Sequence, residues 1–109
     1  MTVETLFAII LFMIRETVLS ILHTEWPTLH KRFGVKTLAL FGSVARGEAG
    51  PESDVDLLVE FDQPTGYFGL VRLQLYLQDC LGQNVDIGTP NSLRAEFRQR
   101  IEREAIRVA

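Results

Sequence analysis

Asp54 and Asp56 stand at the head of a run, Asp-Val-Asp-Leu-Leu-Val-Glu-Phe-Asp, in which apolar and polar residues largely alternate. One set of positions carries Val55, Leu57, Val59 and Phe61; the other carries Asp54, Asp56, Leu58, Glu60 and Asp62. A period of two predicts a half-buried strand, so both aspartates leave the sheet opposite the apolar row, roughly 6 to 7 Å apart along the strand. Carboxylates so placed can each lend an oxygen to a divalent cation, and two cations about 3.5 to 4 Å apart can clamp an in-line displacement at phosphorus. Mg²⁺ suits this chemistry because it takes oxygen ligands, keeps some of its waters and shares the rest with substrate phosphates. An isolated Asp-x-Asp is more often a pair of solvated acids on the wet side of an edge strand, so the decision rests on what else the chain supplies.

Upstream, Val35–Phe41 reads as a more buried strand running into Gly42-Ser43, with a short helical turn from Val44. Backbone N–H groups at such a strand-to-helix turn, with the Ser43 hydroxyl, suit an anion, and Gly42 lets the backbone come close. The turn is no Walker loop, since the chain has neither Gly-Lys-Ser/Thr nor Gly-x-Gly-x-x-Gly. Downstream, Asn84-Val85-Asp86-Ile87 predicts a short third strand. If Val85 and Ile87 join the apolar row, Asp86 emerges on the open face with Asp54 and Asp56. Three carboxylates gathered there repel one another and raise at least one pKa, a conflict that a cation relieves. Arg46 has two readings of equal weight: it neutralises phosphate charge, or it pairs with Glu48, Glu52 or a carboxylate of the site. Lys36 and Arg72 receive no role, and His23 and His30 belong to no metal-spaced cluster.

Gly42-Ser43, ten intervening residues, then Asp54-Val55-Asp56 resembles the motif of the DNA polymerase β-like nucleotidyltransferase superfamily. The fuller strings Gly-Ser-Val-Ala-Arg-Gly and Ser-Asp-Val-Asp-Leu-Leu-Val are similar to its minimal branch, the MNT-domain (MntA-type) antitoxins paired with HEPN-domain toxins. The likeness runs from about Phe33 to the C-terminus. It implies a third carboxylate on a neighbouring strand, which Asp86 matches, and Mg²⁺ held by Asp54, Asp56 and Asp86, with two ions when nucleotide is bound. It further implies ATP phosphates on Gly42 and Ser43, with Arg46 beside them, and Asp86 assisting deprotonation of the attacking hydroxyl. The expected reaction is transfer of AMP from ATP to a hydroxyl, typically a tyrosine, of a cognate HEPN toxin. The rival expectation is an antitoxin that neutralises its partner by occlusion and keeps the site as a relic; a stand-alone small-molecule nucleotidyltransferase is the third. Gly88, where the family often has an apolar residue, shortens the third strand and bears on how rigidly Asp86 is held.

These groups must be positioned by a chain of 109 residues, enough for one domain over 1–109 with a real core. A net charge of −3 gives no broad basic footprint, so direct DNA binding is not expected. The single cysteine, Cys80, makes no internal disulfide and reads as a small core residue in a reducing, cytoplasmic setting.

Residues 3–24 predict a helix whose stretch 6–14 is apolar without interruption. At 1.5 Å per residue that run spans about 14 Å, against about 30 Å of hydrocarbon, so no membrane crossing is expected. An all-round apolar helix must be hidden, and contact with another chain, including a homo-oligomer, is expected of it; translation from Met13 is the alternative. Trp26-Pro27 predicts a break, with a second short helix ending at Gly34. Gly50-Pro51 predicts a turn within 48–53.

A helix over 67–81 is expected to bury Leu70, Leu73, Leu77 and Cys80 or Leu81, and to stop at Gly82. A last helix over 92–106, capped by Asn91 or Ser92, is expected to bury Leu93, Phe97, Ile101 and Ala105. Its arginines at 94, 98, 100, 103 and 107 alternate with glutamates as on a solvated face. The expected fold is α/β, a polymerase β-like arrangement of a small three-stranded mixed sheet, helices on one face and carboxylates on the other.

Overall fold

The computed structural model describes residues 2–48 and 53–109. The anticipated Gly50-Pro51 turn, and Glu52 as a partner for Arg46, lie outside them. In chain order the elements are α1 (Val3–Phe33), β1 (Val35–Phe41), α2 (Gly42–Arg46), β2 (Val55–Phe61), α3 (Gly66–Leu81), β3 (Val85–Gly88), a 3₁₀ turn (Pro90–Ser92), α4 (Ala95–Glu104) and β4 (Ile106–Arg107). They form one mixed sheet in the order β3-β2-β1-β4, with β1 antiparallel to β2 and β4, and β2 parallel to β3.

The alternation read from the sequence sets the layers. Val55, Leu57 and Val59 are fully buried with Leu38, Leu40 and Val85, under Val18, Leu22 and Leu29 of α1 and Leu73 and Leu77 of α3. Two helices therefore cover one sheet face, as expected. A bulge between Val35 and Thr37 lets both Val35 and Leu38 face the core although they are three positions apart, an odd step. α3 ends at Gly82 with φ 67°, the left-handed conformation that glycine adopts without penalty.

The sheet has a fourth strand where three were expected. Ile106 and Arg107 pair with Leu40 and Ala39, and the Ala109 carbonyl accepts from the Leu38 N–H at 2.9 Å. The last helix correspondingly begins at Ala95 and ends at Glu104, and Pro90–Ser92 forms the 3₁₀ turn. Its expected buried stripe is not buried: Phe97 is 47% exposed, and Leu93, Ile101 and Ala105 are only partly covered. Ile106 and Val108 supply the apolar contact with the core instead, because an alternating tail completes an open sheet edge that a continued helix would leave unpaired.

No break occurs at Pro27, and α1 is a single helix of 31 residues. Proline inside a helix removes one backbone donor and costs about 3 kcal/mol. Here the orphaned His23 carbonyl lies on an exposed stretch where water can serve it, while Leu22 and Leu29 anchor both flanking turns in the same core. His30 contributes at the far end, its Nδ1 2.9 Å from the Val35 carbonyl and its ring stacked on Trp26.

The single helix also overturns the length argument against membrane crossing. An 18-residue window in α1 has a mean hydropathy of 2.0 and is 11% buried, so by length and composition the helix is long and apolar enough to cross a membrane. Leu6, Phe7, Ile9, Ile10, Phe12 and Met13 are all exposed.

Candidate active site

The carboxylates are set by pairing as much as by alternation. Asp56 on β2 is the register partner of Asp86 on β3, and on its other side it pairs with Phe41, the residue before Gly42. Strands in a sheet lie about 4.8 Å apart and register partners point to the same face, so Asp56 and Asp86 stand side by side on the face opposite the α1/α3 core. Asp54 lies just ahead of β2, exposed. Its charge nonetheless reaches Asp56, whose carboxyl is held above the ordinary range first by burial, then by Asp86 and Asp54, with Arg46 opposing.

Gly42 closes the arrangement. Its φ is +75°, and a Cβ built there would lie 2.2 Å from Asp56 Oδ2 and 3.1 Å from Asp56 Cβ. Glycine is required twice over, for its backbone angle and for the space that the Asp56 carboxylate fills. α2 begins at this residue with no side-chain cap, so Ser43 stands in an uncapped first turn beside the acids. Arg46, at the end of that helix, donates from Nε to Glu48 Oε2 at 3.0 Å and lies 3.7 Å from Glu104 on α4. The ion-pair reading of Arg46 therefore holds in this state. Glu104 was not among the anticipated partners, because only tertiary folding brings α4 beside α2.

Two further residues escaped the sequence reading. Gln74 Nε2 donates to the Val85 carbonyl at 2.7 Å, and the Val85 N–H donates to Gln78 Oε1 at 3.3 Å. They tie the first residue of β3 to α3, one position before Asp86. The Asp86 strand is thus held from both sides, and Gly88 ends it in register with Leu58. The available signal was a pair of glutamines four apart beside the Leu73/Leu77 stripe. Gln74→Ala should cost about 1 kcal/mol of stability, read by chemical denaturation, and should lower turnover by loosening Asp86.

The donor set is all oxygen. Among the described residues, no three acidic, histidine or cysteine side chains gather closely enough to cage a metal ion unaided. A facing carboxylate pair with a third acid nearby fits a hard cation that completes its shell from water and substrate. The raised Asp56 carboxyl has a sign that melting can test. Between the unfolded value, about 3.9, and the higher folded value, the folded state binds more protons than the unfolded one. Without divalent cations, stability therefore falls as pH rises through that window and recovers as pH drops back. Thermal melts across it should show this slope, and Mg²⁺ should flatten it by displacing the proton.

The profile of the nucleotidyltransferase domain family matches residues 17–108. This chain belongs to that family. The family's nucleotidyltransferase activity goes with a nucleotide as substrate, and its minimal members match in fold. A solved structure described as a minimal nucleotidyltransferase is 42% identical, with a TM-score of 0.65, covering 97% of this chain and 95% of that one. The protein adenylyltransferase MntA of Thermococcus cleftensis is 38% identical over 93 residues, spanning 85% of this chain and 94% of that protein. A toxin–antitoxin complex solved with AMP-PNP shares the fold at 19% identity, with a TM-score of 0.67, over 80% of this chain and 72% of that one. Within this nucleotidyltransferase the sequence-derived site residues divide by how closely they meet. Asp56, Asp86 and Gly42 are in register or contact, Asp54 and Ser43 flank them, and Arg46 is turned toward glutamates.

Proposed function

We propose that this nucleotidyltransferase is a Mg²⁺-dependent protein adenylyltransferase. It moves AMP from ATP onto a hydroxyl, with tyrosine the leading candidate, of a HEPN-type toxin in the cytoplasm, and so acts as the antitoxin of the pair. The observation that carries this reading is the Asp56–Asp86 register pairing with Gly42 pressed against the Asp56 carboxylate. The likeness to MntA of Thermococcus cleftensis supports a protein acceptor. So does the fold shared with a complex of an MNT antitoxin and a tri-AMPylated HEPN toxin from Shewanella oneidensis, at a TM-score of 0.61 and 16% identity.

Asp54, Asp56 and Asp86 would hold the cation, whose chemistry is to neutralise phosphate charge and the charge developing on the leaving group. Gly42 and Ser43 seat the phosphates, and Arg46 can exchange a glutamate for phosphate oxygen. The acceptor oxygen attacks the α-phosphorus, the bond from that phosphorus to the bridging oxygen breaks, and pyrophosphate departs with the electron pair. Asp86, exposed on the strand edge, takes the hydroxyl proton. The apolar exposed turns of α1 are the surface we assign to contact with another chain.

The test is incubation of the protein and the product of the adjacent reading frame with α-labelled ATP and Mg²⁺. Label should appear on the partner and vanish with Asp54→Asn/Asp56→Asn. Inhibition of the partner without label would replace catalysis by occlusion, and turnover without any protein partner would point to a small-molecule acceptor.

A further inference from the structure

At the end of the molecule away from the carboxylates, the last turn of α1 and the first turns of α3 flank an open cavity of about 470 Å³ lined by Arg32, Phe33, Thr65, Gly69, Arg72 and Tyr76. We propose that this cavity is a second anion site that binds a phosphate group, separate from the catalytic centre.

The arginines carry the argument. The chain holds 14 acidic residues against 11 lysines and arginines, yet among the described residues neither Arg32 nor Arg72 forms an ion pair, and both line the same cavity. Both arginines are exposed, and two guanidinium groups lining one cavity give it a positive potential that favours an anion. Arg32 is held in place by aromatic faces, its guanidinium carbon 5.6 Å from the Phe33 ring centroid and 5.8 Å from that of Tyr76. Stacking of this kind fixes the plane of the group and leaves its edge donors free for oxygen.

The Tyr76 hydroxyl is already committed, donating to Glu25 at 2.5 Å. That bond stiffens the aromatic wall. Thr65 precedes α3 without using its side chain as a cap. Gly69 makes room for the Thr65 side chain against α3, since a Cβ there would meet Thr65 Cγ2 at 2.3 Å.

Donors thus come from two helices. A carboxylate has one planar edge and matches one guanidinium fork. A tetrahedral phosphate presents oxygens in several directions and can engage Arg32, Arg72 and the Thr65 hydroxyl together. The volume falls in the range of small-ligand sites, about 300–1,000 Å³, and exceeds what a bare phosphate needs, so a phosphate monoester fits as well as the free ion. Separation from the catalytic centre follows from β1. The cavity adjoins its start after Phe33 while Gly42 follows its end, six strand steps or about 20 Å away.

The test is calorimetric titration of the full chain, in chelator and without divalent cations, with inorganic phosphate, pyrophosphate and AMP as separate probes. Saturable binding is expected, weakened at least tenfold in Arg32→Gln and in Arg72→Gln and retained in Arg46→Gln. Tighter binding of AMP than of phosphate identifies a nucleotide as the source, and equal binding identifies the free ion. Melting curves check that each variant folds, and Arg32→Lys, which keeps the charge but loses the planar fork, should bind at intermediate strength. Loss in Arg46→Gln with retention in Arg32→Gln would put the anion at the catalytic turn and overturn the proposal. Absence of binding, or preference for a hexaglutamate peptide over all three phosphates, would overturn it as well. Because this readout needs neither ATP turnover nor a protein partner, its failure and the failure of the adenylyltransferase reading are distinguishable.

Discussion

Asp56→Asn should lower nucleotidyl transfer by at least about 10³-fold, as expected when a cation ligand central to phosphoryl chemistry is lost. That corresponds to about 4 kcal/mol of transition-state stabilisation. The same substitution should leave the metal-free protein at least as stable as the parent. In the parent, the Asp56 carboxylate is half-buried against Asp86, with the charge of Asp54 added, and each of these effects disfavours its ionised form. An uncharged amide of nearly the same shape removes the repulsion and keeps the space beside Gly42 filled. Activity and melting temperature should therefore move in opposite or unlinked directions, and Mg²⁺ should stabilise the parent but not the variant. Activity within tenfold of the parent, measured as label transferred per unit time, would remove Asp56 from the chemistry.

Gly42→Ala should lower both stability and turnover. Backbone strain at φ +75° costs about 1 to 3 kcal/mol for a residue with a Cβ. The added carbon would also lie 2.2 Å from Asp56 Oδ2, so the carboxylate must swing away from Asp86 or the turn must shift. Gly47 supplies the control, because its φ is +71° but a Cβ there meets nothing within 4 Å. Gly47→Ala should lose a similar amount of stability through strain alone and keep most of its turnover. The activity gap between the two variants, beyond their difference in stability, measures what the Gly42–Asp56 contact contributes. Equal activity in both would show that the contact does not position the carboxylate.

Much of the sheet was legible before any coordinates. The alternation of Val55, Leu57, Val59 and Phe61 places Asp54 and Asp56 opposite the core, and those apolar residues are buried or half-buried as that pattern requires. The limits of β1 and the stop at Gly82 follow equally local rules. α1 was harder to read, because the cost of Pro27 is local while the compensating anchors, Leu22 and Leu29, act through the core. The fourth strand was missed for a related reason. The residues from Ala95 to Ile106 carry a helical period, and only an unpaired β1 edge makes Ile106 and Val108 more valuable as strand than as helix.

The sequence by itself determined the chemistry on offer: an acidic strand, a glycine-serine turn, and a third aspartate whose neighbours, Val85 and Ile87, turn it outward. Periodicity suffices for that, because the face on which a side chain emerges depends only on backbone geometry within one element. The tertiary structure decided which acids are neighbours, that Gly42 abuts Asp56, that Gln74 and Gln78 brace the Asp86 strand, and that Arg32 and Arg72 share a cavity. Those are relations between elements far apart in the chain, set by strand register and helix docking, and no local period encodes them.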